Sequence, residues 1–101
     1  MESRVVKVVY KITYPNGKIY VGMDLTGTLL YFGSVSRALV AEDFTVEERR
    51  DFTMRKEVLW ESDTASDAEV RRREVEYIHE LRSNDPTIGY NRWPRLRGAV
   101  T

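Results

Sequence analysis

Two tyrosines, Tyr10 and Tyr20, flank the short segment Pro15-Asn16-Gly17, and an acid, Glu74, interrupts the apolar stripe of a helical pattern further along the chain. A phenol can position water or a phosphate oxygen, and an inward-facing carboxylate either pairs with a cation or holds a divalent metal. The remaining composition narrows that chemistry. There is no cysteine, so disulfides, thiolate nucleophiles and cysteine-held zinc are excluded, and the single His79 cannot build a histidine metal site. Any metal must be held by oxygen.

Whether the phenols can act together depends on the register of the hairpin that carries them. Residues 4–14 are rich in β-branched and aromatic types, and residues 18–22 resume the pattern after the turn. A two-residue Asn16-Gly17 turn would send Tyr10 and Tyr20 to opposite faces. A three-residue Pro15-Asn16-Gly17 loop gives each turn residue its preferred backbone, with Pro at the first corner of a type I turn and Gly in the left-handed position. That register pairs Tyr14 with Lys18, Ile12 with Tyr20 and Tyr10 with Gly22. The phenols then share one face as diagonal neighbours, with open space beside Tyr10. A shared-face pair serves sheet packing as readily as chemistry, so the residues alone leave both readings open.

The elements that must bring Glu74 to this hairpin follow from capping signals. Met23 to Thr28 lacks periodicity and reads as a loop before Leu29-Leu30-Tyr31-Phe32. Ser34 is expected to cap a short helix carrying Arg37, and Thr45 with Glu48 forms a capping box for a further turn. Val58-Leu59-Trp60 fits a buried strand. Ser66 with Glu69 opens the longest helix, which runs to about Ser83 before Asn84-Asp85-Pro86. At about 100° per residue, Val70, Tyr77, Ile78 and Leu81 form one stripe with Glu74 near its middle. An internal ion pair with a neighbouring Arg or Lys, a carboxylate that reaches solvent past the rim of the stripe, and a metal site all explain such an acid. His79 and the run Arg71-Arg72-Arg73 fall toward solvent.

At 101 residues the chain reads as one α+β domain spanning 1–101, an N-terminal hairpin plus a third strand in a small antiparallel sheet flanked by helices. No apolar run is long enough to span a membrane, and the charged N-terminus does not suit a signal peptide, so a cytoplasmic location is expected. Sixteen basic and sixteen acidic side chains cancel, which weakens long-range attraction to a polyanion. The segment 92–101 is nevertheless basic, with Arg92, Arg95 and Arg97 and no acid. It can meet phosphates or simply be a solvated tail.

Taken in order, Val8-Val9-Tyr10, Tyr20-Val21-Gly22, an Arg-bearing helix, Glu74 in Glu-x-x-Tyr-Ile and Gly89-Tyr90-Asn91 resemble the GIY-YIG endonucleases from Val8 to Asn91. The resemblance implies a metal-dependent endonuclease acting on DNA, with Tyr10, Tyr20, Arg37, Glu74 and Asn91 as the catalytic set. It makes Glu74 the sole protein ligand to Mg2+ or Mn2+, Tyr10 the general base or water-positioner, Tyr20 an orienting group and Asn91 a brace. A phenol near pKa 10 is a poor base at neutral pH, so cationic help for Tyr10 is expected, with Lys18 on the same face as one source. Lys18, Arg92, Arg95 and Arg97 are the expected DNA contacts. Arg37 lies farther from Gly22 than in much of that family, and Arg49 and Arg50 stand as alternatives; Tyr31 can substitute for a residue often found beside that arginine. Two other functions compete: a non-catalytic nucleic-acid-binding module of the same fold, and a protein-interaction domain in which Trp93-Pro94 meets a partner. Nothing in the chain is long enough for a separate recognition domain, which leaves cutting of DNA structures or nicking with little sequence preference, specificity gained by oligomerisation, or work inside a larger complex.

Overall fold

The computed structural model describes residues 5–28, 31, 33 and 35–96. It is a small α+β domain with a three-stranded antiparallel sheet and two helices, in the order β1 (Lys7–Thr13), β2 (Ile19–Asp24), α1 (Arg37–Glu42), a 3-10 turn (Glu48–Arg50), β3 (Arg55–Ser62) and α2 (Asp67–Leu81). The sheet order is β2-β1-β3, so both later strands are edges.

The hairpin adopts the three-residue loop. Tyr10 pairs with Gly22 and Ile12 with Tyr20, while the Tyr14 N–H donates to the Lys18 carbonyl and the Gly17 N–H donates to the Tyr14 carbonyl, each at 2.9 Å. Gly17 has φ 86°, the left-handed conformation that closes this loop without a Cβ penalty. β2 runs beyond Gly22, because Met23 and Asp24 still pair with Val9 and Val8. The expected loop therefore starts two residues later. What ends the strand is Asp24 itself: its carboxylate accepts from the N–H and hydroxyl of Thr26 at 2.8 and 2.7 Å and from the Thr28 N–H at 2.7 Å. The side chain is only 3% exposed, so these donors are what make burying it tolerable.

The third strand departs from expectation. It is an edge strand with Val58 half-exposed, not a buried one. Its alternation is broken by a bulge: Val9 faces Trp60 and Tyr10 faces Val58, leaving Leu59 as the extra residue. The Leu59 carbonyl is recovered by the Tyr77 hydroxyl from α2 at 3.2 Å.

The two sheet faces carry different cores. On one, Val9 and Val21 pack with Ala65, Val70 and Ile78, supported by Tyr77 and Leu81 of α2. On the other, Tyr10, Ile12 and Tyr14 pack with Phe44 and Tyr90. Ser66 caps α2 through the Glu69 N–H at 3.2 Å, and the helix ends at Leu81, two residues before the expected stop. Arg82 turns left-handed at φ 59°, and the Ser83 N–H reaches back to the Ile78 carbonyl at 3.2 Å. The cap of α1 is Ser36, whose hydroxyl accepts from the Leu39 N–H at 3.4 Å; the expected cap Ser34 lies outside the described residues, as do Leu29, Leu30, Phe32 and Arg97. Thr45 and Glu48 form both halves of their capping box, at 2.8 and 3.1 Å.

Candidate active site

The outer edge of β2 would leave alternate backbone groups unpaired, and the chain from Ile88 to Asn91 covers them. The Ile19 N–H donates to the Ile88 carbonyl at 3.1 Å, and the Tyr90 N–H donates to the Ile19 carbonyl at 2.9 Å. One residue pair further, the work passes to a side chain. Asn91 accepts from the Val21 N–H and donates to the Val21 carbonyl, both at 2.8 Å, so its amide imitates a neighbouring strand. The expectation that Asn91 braces the site through its amide is thereby given a defined partner.

A cleft of about 250 Å³ opens at this edge, lined by Tyr20, Ser36, Glu74, Tyr90, Asn91 and Arg92, with Val35, Ile78 and Trp93 completing its wall. It draws on both layers: Tyr20 belongs to the aromatic face, whereas Glu74 and Ile78 come from the helix on the aliphatic face. Of the sequence-derived catalytic set, Tyr20, Glu74 and Asn91 line this cleft together. Among the described residues none forms a direct ion pair or hydrogen bond with Glu74, and the side chain is only partly buried, as for a carboxylate that reaches solvent past the rim of the stripe. Burial pushes the Glu74 carboxyl above its ordinary range, only partly opposed by the Arg71 charge.

Tyr10 stands behind Tyr20. A Cβ on Gly22 would lie 2.5 Å from the Tyr10 hydroxyl and 3.0 Å from the Tyr20 ring, so both phenols crowd this one glycine. Gly33, at φ 85°, closes over the same hydroxyl, and a side chain there would collide with it. Tyr10 is consequently fully buried, and its hydroxyl has no hydrogen-bond partner among the described residues. The expected lowering of its pKa is not found. Burial raises it first, and the neighbouring Tyr20 and Tyr31 phenols and the Asp24 and Glu74 carboxylates raise it further. The phenol is a protonated donor at neutral pH.

Two cations fall elsewhere than expected. Lys18 is not beside Tyr10: its ammonium pairs with Asp43 at 2.9 Å and sits 5.3 Å from the Tyr90 ring. Asp43 also accepts from the Tyr90 hydroxyl at 2.7 Å, which with Lys18 holds its carboxyl below the usual range. Burial, reinforced by that same hydrogen bond, pushes Tyr90 up to about 12. Arg37 lines a neighbouring groove with Arg49 and does not line the cleft. The guanidinium that does line it is Arg92. Arg95 lies against the exposed Trp93 ring at 5.1 Å.

A cation that the sequence did not single out lies over the Tyr10 ring. Lys56 of β3, paired with Ile12, places its ammonium 4.6 Å from the Tyr10 ring centroid and donates to the Tyr31 carbonyl at 2.7 Å. The signal was its parity with Ile12, which becomes readable only once β3 is known to pair with β1. Among the described residues no three His, Cys, Asp or Glu side chains converge as a metal cage. Glu74 instead offers a single unpaired carboxylate, the donor set that suits Mg2+ retaining most of its waters. Comparison with protein-family models, with curated proteins and with solved structures finds no match to this chain.

Proposed function

We propose that the protein is a metal-dependent endonuclease that hydrolyses DNA phosphodiester bonds in the cleft at the β2 edge. The observation that carries this reading is Glu74: a partly buried carboxylate with no direct ion pair among the described residues, its burial only partly offset by the Arg71 charge, on a cleft that Tyr20 and Arg92 also line. Burying an acid with only partial compensation costs stability, and a divalent cation would supply a direct partner. When bound there, Mg2+ or Mn2+ would supply Lewis-acid polarisation of the phosphate and stabilise the leaving oxygen.

The chain's own residues divide the remaining work. Tyr20 presents its phenol at the cleft wall, where it orients water or a phosphate oxygen. Arg92 faces the phosphate with a planar fork of donors. Asn91 acts by holding β2, and therefore Tyr20, against the Ile88–Asn91 segment. Tyr10 stays protonated and supports Tyr20 from behind, so proton removal from water falls to solvent or a phosphate oxygen and not to this phenol.

A second reading, a nucleic-acid-binding module without catalysis, draws support from Arg37 lying outside the cleft and from the raised pKa of Tyr10. Incubating purified protein and a Glu74→Ala variant with supercoiled plasmid and Mg2+, with and without chelator, separates the two. Nicking that requires both Glu74 and the metal supports the enzyme. Equal nicking by both proteins, or none with DNA still retained at low salt, overturns it.

A further inference from the structure

The groove beside the cleft has a composition of its own. About 460 Å³ in volume, it is walled by Tyr14, Phe44, Phe52, Val40 and Met54, with Arg37 and Arg49 as its charged residues and no carboxylate among those lining it. Its aromatic floor is set by edge-to-face packing, Phe44 against Phe52 at 4.8 Å and Tyr14 against Phe52 at 6.4 Å. Arg49 is fixed in place by a hydrogen bond from Nη2 to the Ala41 carbonyl at 2.8 Å, and Arg37 has no ion pair among the described residues.

The groove and the cleft are neighbours. Val35 lines both, Ser36 lines the cleft, and Arg37, the next residue, lines the groove. Consecutive residues of one segment thus serve the two sites, and a strand lying across Val35 would reach from the cleft to the groove. An apolar slot with cationic, acid-free walls fits an occupant that is planar and apolar in its middle and anionic on its flanks. A nucleotide has that form: the base contacts Phe52, Val40 and Met54, the accessible part of a wall in which Tyr14 and Phe44 are 4% and 6% exposed, while guanidinium groups take the adjacent phosphates.

We propose that this groove receives an unpaired base of the same strand whose phosphate enters the cleft, so that the protein selects DNA carrying unpaired nucleotides over fully paired duplex. The selection rests on the nuclease reading for the identity of the strand. The groove is open to solvent, and a base that lies in it has left the helical stack, which is least costly where it has no partner. It would also give a chain of zero net charge a source of affinity beyond phosphate attraction.

Fluorescence anisotropy with three labelled duplexes tests this directly: one fully paired, one with a single extrahelical thymidine, and one with an abasic residue in place of that thymidine. The bulged duplex is expected to bind about tenfold tighter than the paired one, a gain the abasic probe loses, as expected when one base stacks on aromatic side chains. Met54→Glu puts a carboxylate on an exposed position of the groove wall and should abolish the preference while leaving the circular dichroism spectrum unchanged. His79→Ala, on the exposed side of α2 and lining neither groove nor cleft, should keep it. Equal affinity for the three probes, a preference that survives Met54→Glu, or displacement of DNA from the groove by an acidic apolar peptide that binds more tightly overturns the proposal. If nicking depends on Glu74 but no preference appears, the groove assignment alone fails. If the preference is present but nicking does not depend on Glu74, the nuclease reading alone fails; if no probe binds at all, both do.

Discussion

The seam between α2 and the sheet and the cleft at the β2 edge lie side by side, yet they are built on opposite principles. In the seam, Val9, Val21, Val70 and Ile78 are buried and apolar, and the helix is capped at both ends. At the cleft and behind it, burial of Glu74 is only partly offset by the Arg71 charge, and Tyr10 is sealed with its hydroxyl unpaired among the described residues. Each of these costs stability. One helix serves both regions, since Val70 and Ile78 anchor it while Glu74, one turn from each, leans into the cleft. The packed seam is what allows the neighbouring turn to hold an only partly compensated acid.

Breaking the seam should therefore have the largest effect. Ile78→Ala removes a side chain only 2% exposed and is expected to cost about 2–5 kcal/mol in urea unfolding. That is a large share of the roughly 5–15 kcal/mol available to a domain of this kind. Asn91→Ala comes next, at about 1–3 kcal/mol, because it strands the Val21 N–H and carbonyl together. Hydrogen exchange sharpens the comparison: protection of the Val21 amide should fall far more in this variant than that of amides in α2. Uniform loss across both regions would mean that the edge and the seam open as one unit.

The distinction was only half visible in the sequence. The hairpin register was legible because Pro15, Asn16 and Gly17 each have a local backbone preference, and Gly17 adopts the left-handed one. The α2 cap and the acid on its apolar stripe were legible for the same reason, since both are settled within a few turns. What escaped depends on contacts distant in the chain. The bulge at Leu59 breaks the alternation of β3, which hid both its pairing with β1 and the placement of Lys56 over Tyr10. Lys18 was assigned by face alone, but Asp43, far along the chain, captures it. Arg37 follows a stretch without periodicity, so its helix was anticipated while its direction, into the groove and not the cleft, was not. Asn91 was found through the Gly89-Tyr90-Asn91 resemblance; its strand-mimicking bonds have no local signature.

Asp24 and Glu74 sharpen the comparison through pH, with opposite signs. For Asp24, burial favours the neutral acid, but the Thr26 and Thr28 donors and the Lys56 charge outweigh it and hold the pKa below the ordinary carboxylate range. Its stabilisation is present above that range and lost as pH falls through the folded-state pKa. Asp24→Asn should cost about 1 kcal/mol at pH 7, with the gap to the parent closing below about pH 4.

Glu74 behaves in reverse. Its folded-state pKa is raised, so the folded protein holds the proton more tightly than the unfolded chain, and stability falls as pH rises through the window between the two values. Glu74→Gln keeps the size of the side chain and removes the charge. It should raise the melting temperature at pH 8, where the parent carboxylate is ionised, and leave it unchanged near pH 4, where the parent is mostly neutral. Adding millimolar Mg2+ at pH 8 should narrow the difference by stabilising the parent alone, since a cation bound to the folded state shifts the equilibrium toward it. A lower melting temperature for the variant at pH 8 would mean that Glu74 has a structural partner, and the cleft would then be an extension of the packed seam instead of its opposite.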